Sequence, residues 1–377
     1  MEMKYIFLAA YIIIFILALC VNIFFLAAVL KNEELRSPVY MFLGNQTLAD
    51  LIILLLSFTF AGEVVNDGWM FNQLSCKIFA PLTNICYTAC IFSATAVAVE
   101  RYQAICLLSK AKRSPGRCVR LSLCIWIASG VLCCPLFYVY AVSPPVTTSH
   151  NTTHHVIATC RTTNWSHSSA TIFHAVHAIL AYAIPLTIMA YTHVKISRKL
   201  FKTQETRRLS SSRSNMAEET QSCRNSSAYT LEQHYLNNRF SLALIDMEAL
   251  KNMKDRVRNK NVIHLLITVT AIFLITWSPL FMGRIVWTLL HTPCPRNISY
   301  AIKMMILSST AVNFFVYLRM SPVFRKTVRG FFRCNDRQKW TVCPVNLQVG
   351  SDVPLTITTS LSVGRYVRRV RSVKDPD

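Results

Sequence analysis

The amino-acid sequence predicts an all-α membrane protein, a bundle of seven transmembrane helices. Three observations point there. The 377 residues contain seven long apolar runs. The chain is 53% hydrophobic and only 15% charged, where soluble domains carry roughly 25% charged residues, and its mean hydropathy is +0.35. Its lysines and arginines gather in alternate gaps between the runs. A soluble helical protein of this size would alternate apolar stripes with charge along each helix, not leave the runs unbroken.

Crossing the hydrocarbon core takes about 20 mainly apolar residues at a helical rise of about 1.5 Å each. The first run, 5–30, is about twice as long as the apolar stretch of a secretory signal and ends in Leu30-Lys31-Asn32, so it reads as a span. Residues 1–4 are then a short outer N-terminus. Spans two to seven follow at 40–62, 77–108, 118–142, 170–197, 262–290 and 298–318. The gap 199–260 is long and basic, and its segment 210–238 is rich in Ser, Arg, Asn and Gln. It is expected to be a mobile third cytoplasmic loop. One membrane domain thus covers 5–333. A polar tail, 334–377, offers Thr356, Thr358, Thr359, Ser360 and Ser362 for phosphorylation. No internal repeat of the transporter kind appears.

Basic residues set the orientation. Lys31 and Arg36 follow span one, and Lys110, Lys112, Arg113, Arg117 and Arg120 surround the gap after span three. Arg325, Lys326, Arg329 and Arg333 follow span seven, whereas the alternate gaps hold little beyond Arg161 and Arg296. The N-terminus is therefore expected outside and the C-terminus inside. The net charge of +22 is a topology signal and not a nucleic-acid surface, which would need these residues gathered on one soluble face. Asn151 and Asn164, in Asn-x-Ser/Thr sequons of the second outer loop, are the expected glycosylation sites. Asn45, inside span two, and Asn225, on the inner side, carry sequons that should stay unused.

No catalytic constellation is visible. The fourteen cysteines show no zinc-like pairing with histidine, and many lie within apolar runs. Polar residues inside spans need a reason. Asn22, Asp50 and Asn313, on three different spans, suggest a shared polar network. Pro185 and Pro279 each remove a helical hydrogen bond and permit a kink.

Read in order, these features resemble the rhodopsin-like (class A) G-protein-coupled receptors, in a style closest to neuropeptide receptors. Cys76 opens span three, and Glu100-Arg101-Tyr102 ends it with Arg101 twenty-five residues later, the family interval. Leu48-Ala49-Asp50-Leu51, Trp126, Pro185 and Phe273-x-x-x-Trp277-Ser278-Pro279 are similar to the signatures of spans two, four, five and six. Phe324-Arg325 resembles the start of a short amphipathic eighth helix. The likeness covers about 22–334.

The resemblance implies a plasma-membrane receptor that binds an extracellular ligand, a peptide or acidic ligand, and activates a heterotrimeric G protein. Arrestin, receptor kinases and membrane lipid follow as further partners. It implies a Cys76–Cys160 disulfide, coupling through Glu100, Arg101 and Tyr102 with Glu100 as the resting partner of Arg101, and a switch formed by Asp50, Ile91, Pro185, Phe273, Trp277, Pro279, Asn313 and Tyr317. It places Thr83, Tyr87, His174, His177, Phe281, Arg284 and Lys303 around the ligand, and Cys334 where such receptors are palmitoylated. Thr83 stands where amine receptors have aspartate, and Leu307 where visual pigments have lysine, so neither a monoamine nor retinal is expected. Arg284 and Lys303 face few outer acids, Glu63 and Asp67 among them. Either Glu63 neutralises Lys303 or the ligand brings an anion.

Three departures stand out. Span seven reads Asn313-Phe314-Phe315-Val316-Tyr317 without the family's proline, His193 replaces a tyrosine, and Leu107-Leu108 replace a proline. Cys90 stands where serine is frequent. The only cofactor the resemblance leaves room for is a sodium ion near Asp50. A ligand-binding receptor that does not couple, and a channel or transporter, remain as alternatives; the latter would need more charge at mid-membrane.

Overall fold

The computed structural model describes residues 2–35, 37–107, 115–146, 157–163, 165–225, 257, 263–264, 267–292, 294–320, 322–332, 345–346 and 356–357. Seven helical segments are long and apolar enough to cross a bilayer: Lys4–Lys31, Pro38–Asn66, Gln73–Cys106, Gly116–Val139, His167–Thr203, Ile267–Leu289 and Arg296–Phe315. Between a fifth and under a half of each is buried inside the protein. Ile13, Leu55, Ile127, Val131 and Ile275 stand more than half exposed, as lipid-facing side chains do in a bilayer.

The spans are not uniform cylinders, and each break has a local cause. Span one is α1 (Glu2–Lys31). Span two divides into α2 (Pro38–Leu56) and α3 (Phe58–Asn66) at Ser57. The Ser57 hydroxyl donates to Leu54 O at 2.6 Å and lies 3.0 Å from Tyr11 Oη, and such side-chain competition for backbone carbonyls bends helices. Span three is α4 (Gln73–Cys106), capped by Asn72, whose side chain accepts from Ser75 N–H. Span four breaks between α5 (Pro115–Cys133) and α6 (Pro135–Val139), at a proline that cannot donate back along the helix.

Span five begins as α7 (His167–Ala178), widens into a π-helical turn over Ile179–Ala183, and continues as α8 (Ile184–Asn225). Pro185 lies just beyond the wide turn and lacks the N–H that a regular turn needs there. Span six is α9 (Ile267–Leu289). Span seven is α10 (Arg296–Met320), followed by α11 (Pro322–Phe332).

One expectation needs correction. The helix of span five does not stop near 197 but runs to Asn225, into the segment expected to be a mobile loop. Low hydropathy alone is no bar to helix there: Lys, Arg, Gln and Glu over 199–221 are good helix formers that need no burial. The rest of that loop, 226–256, lies outside the described residues. The second outer loop carries a β-hairpin beside the helical bundle: β1 (Tyr140–Val146) pairs antiparallel with β2 (Ile157–Thr162), with Val142 opposite Cys160.

One core packs spans two, three, five, six and seven around Ile91, Phe273, Trp277 and Phe281. A second joins span one to spans two and seven through Tyr11, Phe60, Met304 and Leu307. The outer ends of spans one, two and seven meet at Asp67, which Lys4 Nζ reaches at 2.8 Å and Arg296 Nη1 at 3.9 Å. The chain divides into two units, 1–328 and 329–377. In the second, β3 (Val345–Asn346) pairs antiparallel with β4 (Thr356–Ile357).

Candidate functional site: an outer pocket above a buried polar core

The outer ends of the helices are fixed first. Cys76, at the start of α4, is disulfide-bonded to Cys160 on β2, with their Cα atoms 5.6 Å apart. Trp69 N–H donates to Ala158 O at 2.7 Å, and Val142 N–H donates to Gln73 Oε1 at 2.7 Å. The β-hairpin is therefore held at the head of span three by one covalent and two polar links.

Inside that rim lies an aromatic wall. His177 stacks between Phe173 and Phe281, at centroid distances of 5.6 and 5.5 Å. Its Nε2 is 3.4 Å from Thr88 Oγ1 and 3.7 Å from Cys133 Sγ. Phe281 also stacks on Tyr182 at 5.1 Å, and Tyr182 on Phe273 at 5.7 Å. The Tyr182 and Ser278 hydroxyls share a 2.5 Å hydrogen bond, which ties span five to span six beside Pro279. Tyr87 meets Trp277 edge to face at 5.5 Å. His174 lies against Trp165 and Phe173.

Arg284 and Lys303, the two cations expected around a ligand, are treated differently by the structure. Arg284 Nη2 donates to Asn84 Oδ1. Asn84 spends its own amide N–H on Ala80 O at 2.7 Å, so its oxygen is presented to the guanidinium. Arg284 lies close enough to Tyr87, His174 and His177 to act on all three electrostatically. Among the described residues no carboxylate pairs with it, and the amide it meets is neutral. Lys303 instead lies 2.5 Å from Glu63 Oε2 and over the Phe60 ring at 5.5 Å. Of the residues expected around a ligand, Tyr87, His174, His177, Phe281 and Arg284 come together. Lys303 sits at the span two–seven wall as half of an ion pair, and Thr83 bonds its own helix at Phe79 O, 2.7 Å away.

Beneath Trp277 a cavity of about 820 Å³, including its opening, runs between spans two, three, five, six and seven. Asp50, Cys90, Trp277 and Asn313 line it, with His193 and Arg101. Asp50 is buried and accepts from Cys90 Sγ at 3.4 Å. His193 Nδ1 and Thr270 Oγ1 are 2.7 Å apart, joining spans five and six where the family tyrosine is replaced.

Arg101 lines this cavity, and among the described residues no ion pair joins it to Glu100. Glu100 was the expected resting partner. Sequence neighbours on a helix point about 100° apart, which carries buried Glu100 away from the cavity face. Tyr102 packs near Tyr191 at 6.3 Å. Tyr317 falls on α10, but its side chain, like all of Asn151, Asn164 and Cys334, lies outside the described residues.

Sequence reasoning passed over three residues that organise the site. Asn45 donates to Ser93 Oγ at 2.8 Å and accepts from Trp126 Nε1 at 3.0 Å, joining spans two, three and four. Asn84 holds Arg284, and Tyr182 bridges to Ser278. The asparagines carried the same signal as Asn22, an amide inside an apolar run. Asn22 itself bridges from span one to Thr310 O on span seven at 3.2 Å.

Known proteins agree with this architecture. The chain is 27% identical over 206 residues to the neuropeptide FF receptor 1 of Rattus norvegicus, covering 52% of this chain and 46% of that one. It is 22% identical over 348 residues to the cholecystokinin receptor type A of Cavia porcellus, covering 86% and 80%. The human cholecystokinin receptor type A matches similarly, at 22% over 347 residues, covering 86% and 79%. A family model described as 7 transmembrane receptor (rhodopsin family) matches residues 21–317. With seven spans, a disulfide-anchored rim and an aromatic cluster stacked over a polar cavity, the chain belongs to the rhodopsin family of seven-transmembrane receptors: a multi-pass plasma-membrane, G-protein-coupled receptor and not an enzyme.

Proposed function

We propose that the chain binds an extracellular peptide bearing an acidic group and signals through a heterotrimeric G protein. The observation that carries this reading is the stacking of two compartments. Arg284, His177 and Phe281 form a cationic and aromatic cluster on the outer side of Trp277, and the cavity beneath Trp277 reaches Arg101. The similarity to the neuropeptide FF and cholecystokinin receptors supports a peptide ligand. The guanidinium of Arg284, which no carboxylate among the described residues neutralises, supports an anion on it, since a partly buried charge favours a partner. A ligand shifts the receptor only by its differential affinity for two states. Here the two states differ in whether span six stays packed beside Arg101 or swings outward and releases it.

The basic inner gaps support an outside N-terminus and an inside C-terminus. In that orientation the sequons of Asn151 and Asn164 fall on the glycosylated side, and Cys334, beside basic residues in the sequence, is the proposed site for palmitate. Receptor kinases and arrestin act on the serine- and threonine-bearing tail, and lipid surrounds the spans. Asp50, Ser309 and Asn313 line one cavity and offer oxygen to a sodium ion, while Cys90 gives a soft sulfur where a hydroxyl would serve better. Family membership does not favour a channel, a transporter or a non-coupling binder. Nucleotide exchange on purified G proteins tests the reading. Arg101→Ala should leave surface expression and agonist affinity within a few-fold and abolish or strongly alter exchange; a normal response in that variant would overturn it.

A further inference from the structure

Span six is tied to span five at three depths. At the outer ends, the rings of His167, on α7, and His291, just past α9, stack at a centroid distance of 3.6 Å. At mid-membrane, the Tyr182 and Ser278 hydroxyls share their 2.5 Å hydrogen bond. On the inner side, a 2.7 Å hydrogen bond joins His193 Nδ1, on α8, to Thr270 Oγ1, on α9. The His193 side chain is buried. His193, Val269, Ile272 and Phe273 line one cavity with Arg101. The stretch of span six that this bond holds is therefore the stretch that packs beside Arg101.

Pro279 separates the inner tie from the outermost one. It has no N–H to offer Ile275 O, so α9 bends most easily there. Ser278 sits beside that pivot, and Thr270 lies nine residues inward of it, about 13.5 Å along the axis. An outward tilt of about 15° at Pro279 carries Thr270 through about 3.5 Å, past hydrogen-bond reach, while Ser278 moves by less than about 0.5 Å. The two outer ties thus survive such a tilt, and the His193–Thr270 bond does not.

We propose that His193 is a positioning residue for G-protein coupling: its bond to Thr270 clamps the inner half of span six against span five in the resting receptor, and span six opens only when that bond breaks. In this role His193 touches neither the ligand nor the G protein and acts through span six alone. The residue that departs from the family's tyrosine is thereby given a partner and a task. One hydrogen bond of this kind biases the closed state by about twofold to tenfold. A bias of that size holds the receptor quiet yet yields to an agonist whose differential affinity for the open state exceeds it.

The test uses the full-length receptor in lipid nanodiscs. Without agonist or G protein, hydrogen–deuterium exchange should quicken across residues 267–278 in Thr270→Val, which keeps the shape but not the hydroxyl, and in His193→Phe. Peptides of α2 and α4 should exchange as in the starting receptor, which a general loss of structure would not allow. Thr270→Ser keeps the bond and should match the starting receptor. In nucleotide exchange on purified G proteins, agonist-free activity should rise about twofold to tenfold in each variant and no further in the double variant. This signalling arm rests on the receptor reading and the deuterium arm does not. A receptor that never drives nucleotide exchange therefore refutes that reading and leaves the deuterium arm to decide the clamp. Thermal unfolding and mapping of the Cys76–Cys160 link check the fold; if His193→Phe fails that check, Thr270→Val and Thr270→Ala carry both arms. Unchanged deuterium exchange in Thr270→Val, or agonist-free nucleotide exchange that fails to rise in a receptor that couples, overturns the proposal.

Discussion

Glu63 and Lys303 close on each other across spans two and seven, with Lys303 Nζ 2.5 Å from Glu63 Oε2. The pair is only partly buried, at 20% and 37% side-chain exposure, so its net contribution is modest. Tyr300 Oη donates to Glu63 O at 3.4 Å beside it. A double-mutant cycle of Glu63→Gln and Lys303→Met, read by thermal unfolding in detergent, should give about 1 kcal/mol of coupling. Additive losses would show that the two charges stabilise the bundle independently.

With Lys303 paired to Glu63, Arg284 is the cation proposed to meet an acidic ligand. Arg284→Ala should weaken an acidic agonist by about tenfold to a hundredfold, the worth of a charged hydrogen bond of about 1.5–3 kcal/mol. The loss should shrink when the acidic group of the agonist is converted to its amide. Lys303→Ala should have the smaller effect. A cationic agonist indifferent to Arg284→Ala would remove the basis for an acidic ligand.

The Cys76–Cys160 link closes a loop with a sequence separation of 84 residues. Loops of that size give disulfides at the upper end of their range, and losing such a bond costs about 2–5 kcal/mol. Peptide mapping without reduction should recover the two cysteines joined, and Cys160→Ser should lower surface expression. Recovery of both as free thiols from native receptor would contradict the anchored hairpin.

Asn45 should matter for folding and not for glycan. Asn45→Ala takes a partner from Trp126 Nε1 and from Ser93 Oγ, and a lost buried hydrogen bond costs about 1–3 kcal/mol. Solubilised Asn45→Ala should unfold at lower temperature, with the same electrophoretic mobility as the starting protein both before and after glycosidase treatment. Asn45→Asp restores an acceptor for Trp126 but not a donor for Ser93, so its stability should lie between the two.

The number, order and approximate bounds of the spans were legible in the sequence, because a bilayer demands long apolar runs and the chain displays them directly. So were the motif positions, since Cys76, Arg101, Trp277 and Asn313 are recognised by spacing along single helices. The breaks were less legible. Pro185 announced a disturbance, but the π-helical turn before it and the bend at Ser57 depend on which carbonyls a side chain or a missing N–H disturbs. The helical run to Asn225 is hidden from hydropathy, because propensity and burial are separate quantities.

Pairings across helices were decided only by the tertiary structure. The sequence left Lys303 between an internal partner and a ligand, and rotation of spans two and seven chose Glu63. It placed Glu100 beside Arg101, but adjacent residues on a helix point in different directions, and Arg101 lines the cavity while Glu100 is buried elsewhere. His167 and His291 are 124 positions apart in the chain and carry no motif; they stack because two helix ends meet. Hydropathy and spacing act along one chain segment and can be read from it. The rotation of each helix about its axis, and so the partner each polar side chain meets, is settled by packing all seven at once.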